Sequence, residues 1–180
     1  MIKKKLKLYI KNTYAYLFFK ALIVLGVVNF LMSPPSSIIS FTKLEDMYLQ
    51  ANVNTKIYTT TKARISKGKS IISIDIEDKY FHALGAIHGS VYFKLLDDAC
   101  FFAVNSLVED AFVLTTSFNI HITKPVSSGK IEAVGKVRFK SKNLFTAEAT
   151  LYNENGQEIA FGTGDFAKSK IVLAPEIGYK

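Results

Sequence analysis

The chain has 180 residues, 49% of them hydrophobic, with 14 Phe, 9 Tyr and no Trp. That length and content predict one domain with a substantial core. A single cysteine, Cys100, excludes an internal disulfide, and three scattered histidines without CxxC or HExxH spacing give no metal site. The net charge of +8 does not describe a nucleic-acid surface, because Lys3, Lys4, Lys5, Lys7, Lys11 and Lys20 all precede Met32 with no acid among them, leaving +2 for the rest.

Residues 1–40 read as a basic and apolar leader. The apolar run from Ala21 to Met32 is broken only by Asn29. As a helix it spans about 18 Å, short of the roughly 30 Å hydrocarbon core. Three readings fit: a signal-like segment, a membrane-associated anchor, or an upstream extension with Met32 as the true start. Membrane contact is expected only if residues 1–31 are present, and the location is otherwise cytoplasmic. Ser33-Pro34-Pro35-Ser36-Ser37 is a break under each of them.

The domain is expected over 41–170, with 171–180 as a tail. Phe41 to Leu49 predicts a short amphipathic helix with Thr42 as N-cap and Glu45 completing a capping box. Residues 63–77 alternate Ile72, Ile74 and Ile76 on one face, which predicts one long strand bent near Gly68. Gly89 to Val108 predicts a long helix. Four strand signals follow, FVLTTSFNIHIT, GKIEAVGKVRFKSK, LFTAEATLYN and GQEIAFGTGDFAK, with Asn155-Gly156 as a hairpin turn. The order predicts an α+β fold in which an antiparallel meander wraps one apolar helix.

The long helix carries its own signal. At 100° per residue, Ser90, Lys94, Asp97, Asp98 and Asn105 share about 100° of arc, and the remainder is almost all apolar. So narrow a polar stripe predicts that a ligand or another subunit comes close to it. Asp97 and Asp98 sit at opposite edges of the stripe. Lys94 is within reach of both, so a simple ion pair competes with a functional role for each carboxylate.

The segment His82-Ala83-Leu84-Gly85-Ala86-Ile87-His88-Gly89-Ser90, with Asp97 nine residues after His88, resembles the signature of hotdog-fold acyl-CoA thioesterases of the PaaI-like branch. In that family the pattern is Asn-x-x-Gly-x-x-His-Gly-Gly, so His82 and Ser90 are departures. The resemblance covers residues 82–98 as motif and about 60–169 as element order. It implies a hotdog fold and hydrolysis of an acyl-CoA thioester, by a homodimer or homotetramer with sites at the subunit interface. Asp97 would activate water or attack directly, and the Gly89 N–H would hold the oxyanion at the helix N-terminus. His88 would orient the loop or thioester, and His82 would donate a hydrogen bond.

Thr115 stands where relatives place a Ser or Thr that helps hold the water. Strict alternation groups it with Ser117, Asn119, His121 and Thr123, opposite Leu114, Phe118, Ile120 and Ile122. Coenzyme A enters only as part of the substrate, and no other cofactor is implied. Lys136, Arg138, Lys140 and Lys142 alternate along one strand face. That face is either plain solvated surface or, through Arg138, Lys140 and Lys142, a contact for the phosphates of coenzyme A. Cys100 reads as core filler, and Tyr92, Phe93, Phe101 and Phe102 as core or as the lining of an acyl pocket. The competing functions are a non-catalytic acyl-CoA or lipid-binding module and a 3-hydroxyacyl-thioester dehydratase of the same fold.

Overall fold

A computed structural model describes residues 40–180; the leader expected over 1–40 lies, but for Ser40, outside the described residues. Two short helices come first, α1 (Phe41–Leu49) and α2 (Asn52–Lys56). The hairpin β1 (Lys62–Ser66) and β2 (Lys69–Asp75), a single 3-10 turn at Asp78–Tyr80, and the long helix α3 (Gly89–Asn105) follow. The chain then runs through β3 (Ala111–Ile122), β4 (Lys130–Lys140), β5 (Leu144–Asn153) and β6 (Glu158–Val172) to a last 3-10 turn at Pro175–Ile177. All six strands form one antiparallel sheet in the order β1-β2-β4-β5-β6-β3. This is the expected α+β hotdog arrangement, a sheet around a central helix.

Four expectations change in detail. Residues 63–77 are a hairpin rather than one bent strand, because Gly68 at φ +71° turns the chain back on itself. The last four strands are not a simple meander, since β3 leaves the helix at the far edge of the sheet and pairs with β6. α1 is capped by Ser40, whose hydroxyl accepts from the Lys43 N–H at 3.3 Å, instead of by Thr42. Glu45 is then released from a capping box and accepts from the Ile65 N–H at 2.6 Å, tying α1 to β1.

α3 sits so that Leu95, Leu96, Ala99, Ala103 and Val104 are wholly buried. Burying a leucine side chain stabilises by about 1.5–3 kcal/mol, so this face holds the helix to the sheet. At Ala99 the approach is closest. The Ser70 hydroxyl donates to the Ala99 carbonyl at 2.5 Å, and a Cβ on Gly135 would lie 2.2 Å from the same oxygen. Only glycine lets strand and helix backbones meet there. Asn105, expected in the polar stripe, is instead buried at the helix end. Its amide donates to the Ala111 carbonyl at 3.2 Å and accepts from the Val113 N–H at 3.2 Å, locking the reversal into β3. Among the described residues no helix is long and apolar enough to cross a membrane.

Candidate active site

α3 begins on a loop that is pinned at several points. The His82 N–H donates to the Ala86 carbonyl, the Ile87 N–H to Val126 and the His88 N–H to Tyr80, all at 2.8–2.9 Å. His88 is the N-cap of the helix. Its Nδ1 accepts from the Ser90 N–H at 3.1 Å and lies 2.8 Å from the Ser90 hydroxyl. The serine that departs from the family pattern is therefore a partner of the cap. Gly89 follows as the first helical residue, and first-turn amides of a helix have no intrahelical acceptor. A Cβ there would meet only Ile122, at an ordinary 3.5 Å, so nothing in this chain demands glycine at that place. His82 and Gly89 line one cavity of about 270 Å³ together with Tyr92 and Ile122.

Asp97 lies eight residues further along α3, about 12 Å by helical rise. The Thr115 hydroxyl of β3 donates to its Oδ1 at 3.0 Å. Burial pushes the Asp97 carboxyl up to about 6, helped by the neighbouring charge of Asp98 and opposed by the Thr115 hydrogen bond and by Lys94. Near neutral pH it is therefore an ionised carboxylate that still binds a proton readily, the property a general base needs. Asp97 and Thr115 line a second cavity, of about 500 Å³, separate from that of Gly89.

Asp98 does a different job. Its Oδ2 accepts from the Tyr48 hydroxyl at 2.6 Å and from the Lys94 ammonium at 2.5 Å, and Lys94 also donates to the Tyr48 oxygen at 2.9 Å. The ammonium sits 5.0 Å and 4.8 Å from the Tyr48 and Tyr58 ring centroids. Burial and then the Asp98 charge push the Tyr48 phenol well above its ordinary range. Asp98 thus fastens α1 to α3, while Asp97 is left facing the cavity.

Residues 84–160 match the family model of the Thioesterase superfamily. That segment contains Gly89, Asp97 and Thr115. A candidate esterase of Saccharolobus solfataricus is 26% identical over 101 residues, covering 56% of this chain and 67% of that protein. The fold is similar to the PaaI protein of the Escherichia coli phenylacetic acid degradation operon, with TM-score 0.64 and 16% identity, covering 74% of this chain and 95% of that one. It is also similar to a thioesterase of Haemophilus influenzae, with TM-score 0.64 and 14% identity over 73% and 91% of the two chains. The family match and the esterase relative support thioester hydrolysis in general terms, and the solved structures show the fold.

Within this hotdog domain two strand readings need correction, for one physical reason. β3 carries a bulge: Thr115 pairs with Phe166 and Ser117 with Asp165, leaving Thr116 as an extra residue. Before the bulge Val113 and Thr115 face the helix; after it Phe118, Ile120 and Ile122 do. Phe118 meets Phe93 edge-on with centroids 5.6 Å apart, and Ile122 lies under Gly89. Thr115 therefore does not share a face with Ser117, Asn119 and His121. His121 is exposed and stacks on Phe161 with centroids 4.8 Å apart.

β4 has the same irregularity at Arg138, between Val137 and Phe139. Lys140 then pairs with Phe145, which is buried on the helix side, so the basic residues of this strand do not form one uninterrupted face. Arg138 is ion-paired with Glu148, whereas among the described residues Lys140 and Lys142 have no such partner. Cys100 is wholly buried, and burial first, then the charges of Asp97 and Glu148, push its thiol far above the range of a nucleophile.

Tyr48 is the neighbour of the site that the sequence reading misses. It is fifty residues from Asp98, and no local pattern marks an α1 tyrosine as part of a site on α3.

Proposed function

We propose that this protein hydrolyses an acyl-CoA thioester to a free carboxylic acid and coenzyme A, at a site completed by a second copy of the chain. The observation that carries this reading is Asp97, a half-buried carboxylate hydrogen-bonded by Thr115 and facing a cavity instead of an ion-pair partner. In this reading Asp97 takes the proton of the attacking water, or itself attacks the carbonyl carbon, and the Thr115 hydroxyl holds the carboxylate or the water in place.

The oxyanion needs a donor about 3 Å from the carbonyl oxygen. Gly89 of the same chain is two helical turns away and opens on a different cavity, so the donor is supplied by the other copy. There the Gly89 N–H receives the oxyanion at the positive end of α3, His88 holds the helix start and His82 borders the thioester. An absent Cβ at Gly89, unneeded within one chain, leaves room for the incoming carbonyl. Loss of one such donor typically costs about 2.7–4 kcal/mol in transition-state stabilisation.

Lys140 and Lys142 are exposed and are our candidates for contact with the phosphates of coenzyme A; Arg138 is engaged with Glu148. A coenzyme A substrate and a single buried thiol suit a reducing cytoplasm. The test is thiol release from a panel of acyl-CoA esters by the purified full chain, with its mass in solution measured by light scattering. We expect turnover and a dimer or tetramer. A chain that is monomeric while fully active, or an Asp97→Asn variant with unaltered kcat, would overturn the assignment.

A further inference from the structure

The cavity beside Asp97 bears on what the reacting carbonyl carries behind it. Beyond Asp97 and Thr115 its walls are hydrocarbon, from Met47, Val53, Phe112, Leu114, Ile171 and Ile177 among others. The other polar groups there are already engaged, because Asp98 and the Tyr48 hydroxyl bond to each other and to Lys94. Among the described residues no lysine, arginine or histidine lines it. Val53, Leu114, Ile171 and Ile177 are 42%, 46%, 46% and 38% exposed, yet all four converge on this one cleft. Apolar side chains gathered in a concave surface mark a binding groove, where the same residues scattered singly would mean nothing. The volume of about 500 Å³ suits a small organic ligand.

The walls have a second peculiarity. Met47, Tyr48, Ala51 and Val53 come from the α1–α2 segment, and Ile171 and Ile177 from the end of the chain. All six lie outside the family-matched residues 84–160. The two segments are tied to each other. The Ser40 N–H donates to the Tyr179 hydroxyl at 3.2 Å, Lys43 lies 5.7 Å from the Tyr179 ring centroid, and a Cβ on Gly178 would touch Met47 at 3.5 Å.

We infer that this cavity receives an uncharged hydrocarbon tail of the acyl group, alkyl or aryl, and that Met47–Val53 and Ile171–Ile177 set the tail length it accepts. This rests on the reading of Asp97 as the group that meets the thioester. Each methylene that enters apolar walls gains about fourfold in affinity until the space is filled. A carboxylate or ammonium at the far end of the tail would be stripped of water with no partner, and is rejected.

Non-hydrolysable thioethers separate this inference from the hydrolase assignment. The full chain is titrated calorimetrically with S-ethyl-, S-hexyl-, S-phenethyl- and S-(5-carboxypentyl)-CoA. The hexyl compound is expected to bind more than about a hundredfold tighter than the ethyl one, at fourfold for each of four methylenes. The carboxypentyl compound should lose most of that gain. Comparing hexyl with phenethyl decides between alkyl and aryl tails.

Ala51→Phe, which narrows the cleft, and Ile171→Ala, which removes a wall from a half-exposed position, should both lower the hexyl-to-ethyl ratio. A circular dichroism melt confirms that each variant folds. A ratio near one in the wild type, equal binding of the carboxypentyl compound, or variants that leave the ratio alone would each overturn the inference. Tail-dependent binding without turnover of any thioester would keep the pocket and sink the hydrolase; turnover indifferent to tail length would do the reverse.

Discussion

Replacing Asp97 by Asn is expected to make the protein more stable at neutral pH while removing its activity. Burial raises the carboxyl from 3.8 to about 6 in the folded chain. The folded state therefore binds this proton more tightly than the unfolded one. Its contribution to stability is fully present below pH 3.8 and is lost as pH rises through about 6. Two pKa units at about 1.36 kcal/mol each set the loss at up to about 3 kcal/mol by pH 7. Asparagine carries no charge at any pH and escapes that loss. For about 140 folded residues, roughly 3 °C per kcal/mol predicts a Tm increase approaching 10 °C at pH 7, shrinking towards nothing at pH 4. Thermal melts of both proteins at pH 4, 5, 6 and 7, alongside kcat for a responsive acyl-CoA, make the measurement. Loss of a positioned base predicts at least a hundredfold fall in kcat. Equal Tm values at pH 7, or an offset that does not grow between pH 4 and 7, would refute the claim that Asp97 is held desolvated.

The kcat/KM profile of the wild type should fall tenfold per unit below about pH 6, as Asp97 takes up its proton. Thr115→Val removes a hydrogen bond to the ionised form, worth about 1.5 kcal/mol or one pKa unit. Its acid limb should move up by that unit, with about a fivefold loss at pH 6 and little at pH 8; an unmoved limb would refute the role given to Thr115. Asp98→Asn should destabilise by about 1–3 kcal/mol, because Lys94 and Tyr48 lose a charged partner, yet change kcat less than tenfold. If kcat fell as far as in Asp97→Asn, the two carboxylates would have been given each other's roles. Gly135→Ala drives a methyl into the Ala99 carbonyl and should cost about 3 kcal/mol or more by chemical denaturation. Charge reversal at Lys140 and Lys142 should raise KM for acyl-CoA with kcat nearly constant, and an unchanged KM would remove them from the phosphate contact.

The central helix was legible because its period runs unbroken from Gly89, and its narrow polar stripe drew attention to Asp97 and Asp98 alike. Neighbours in sequence were enough for the helix, but they left an ion pair open for each carboxylate, and only the resemblance singled out Asp97. Strand faces were less readable, since alternation assumes a period of two and says nothing about where an extra residue is inserted. Thr116 and Arg138 are such residues, and each reverses the side on which everything after it stands. The place of β3 at the sheet edge depends on pairing with β6, about fifty residues later, which no local pattern records. Tyr48 was out of reach for the same reason. The cap of α1 was misplaced by two residues, because Ser40 and Thr42 offer the same hydroxyl chemistry and only the backbone decides between them.

The inserted Thr116 has a consequence for how this strand can change over generations. Deleting it would put the two halves of β3 back into step, so that either the hydroxyl at 115 turns away from the carboxylate or Phe118, Ile120 and Ile122 swing out into water. No single deletion at that point preserves both. The count of residues between Thr115 and Phe118 is therefore fixed by the geometry of this strand, and change there without loss of either face is confined to exchanging side chains.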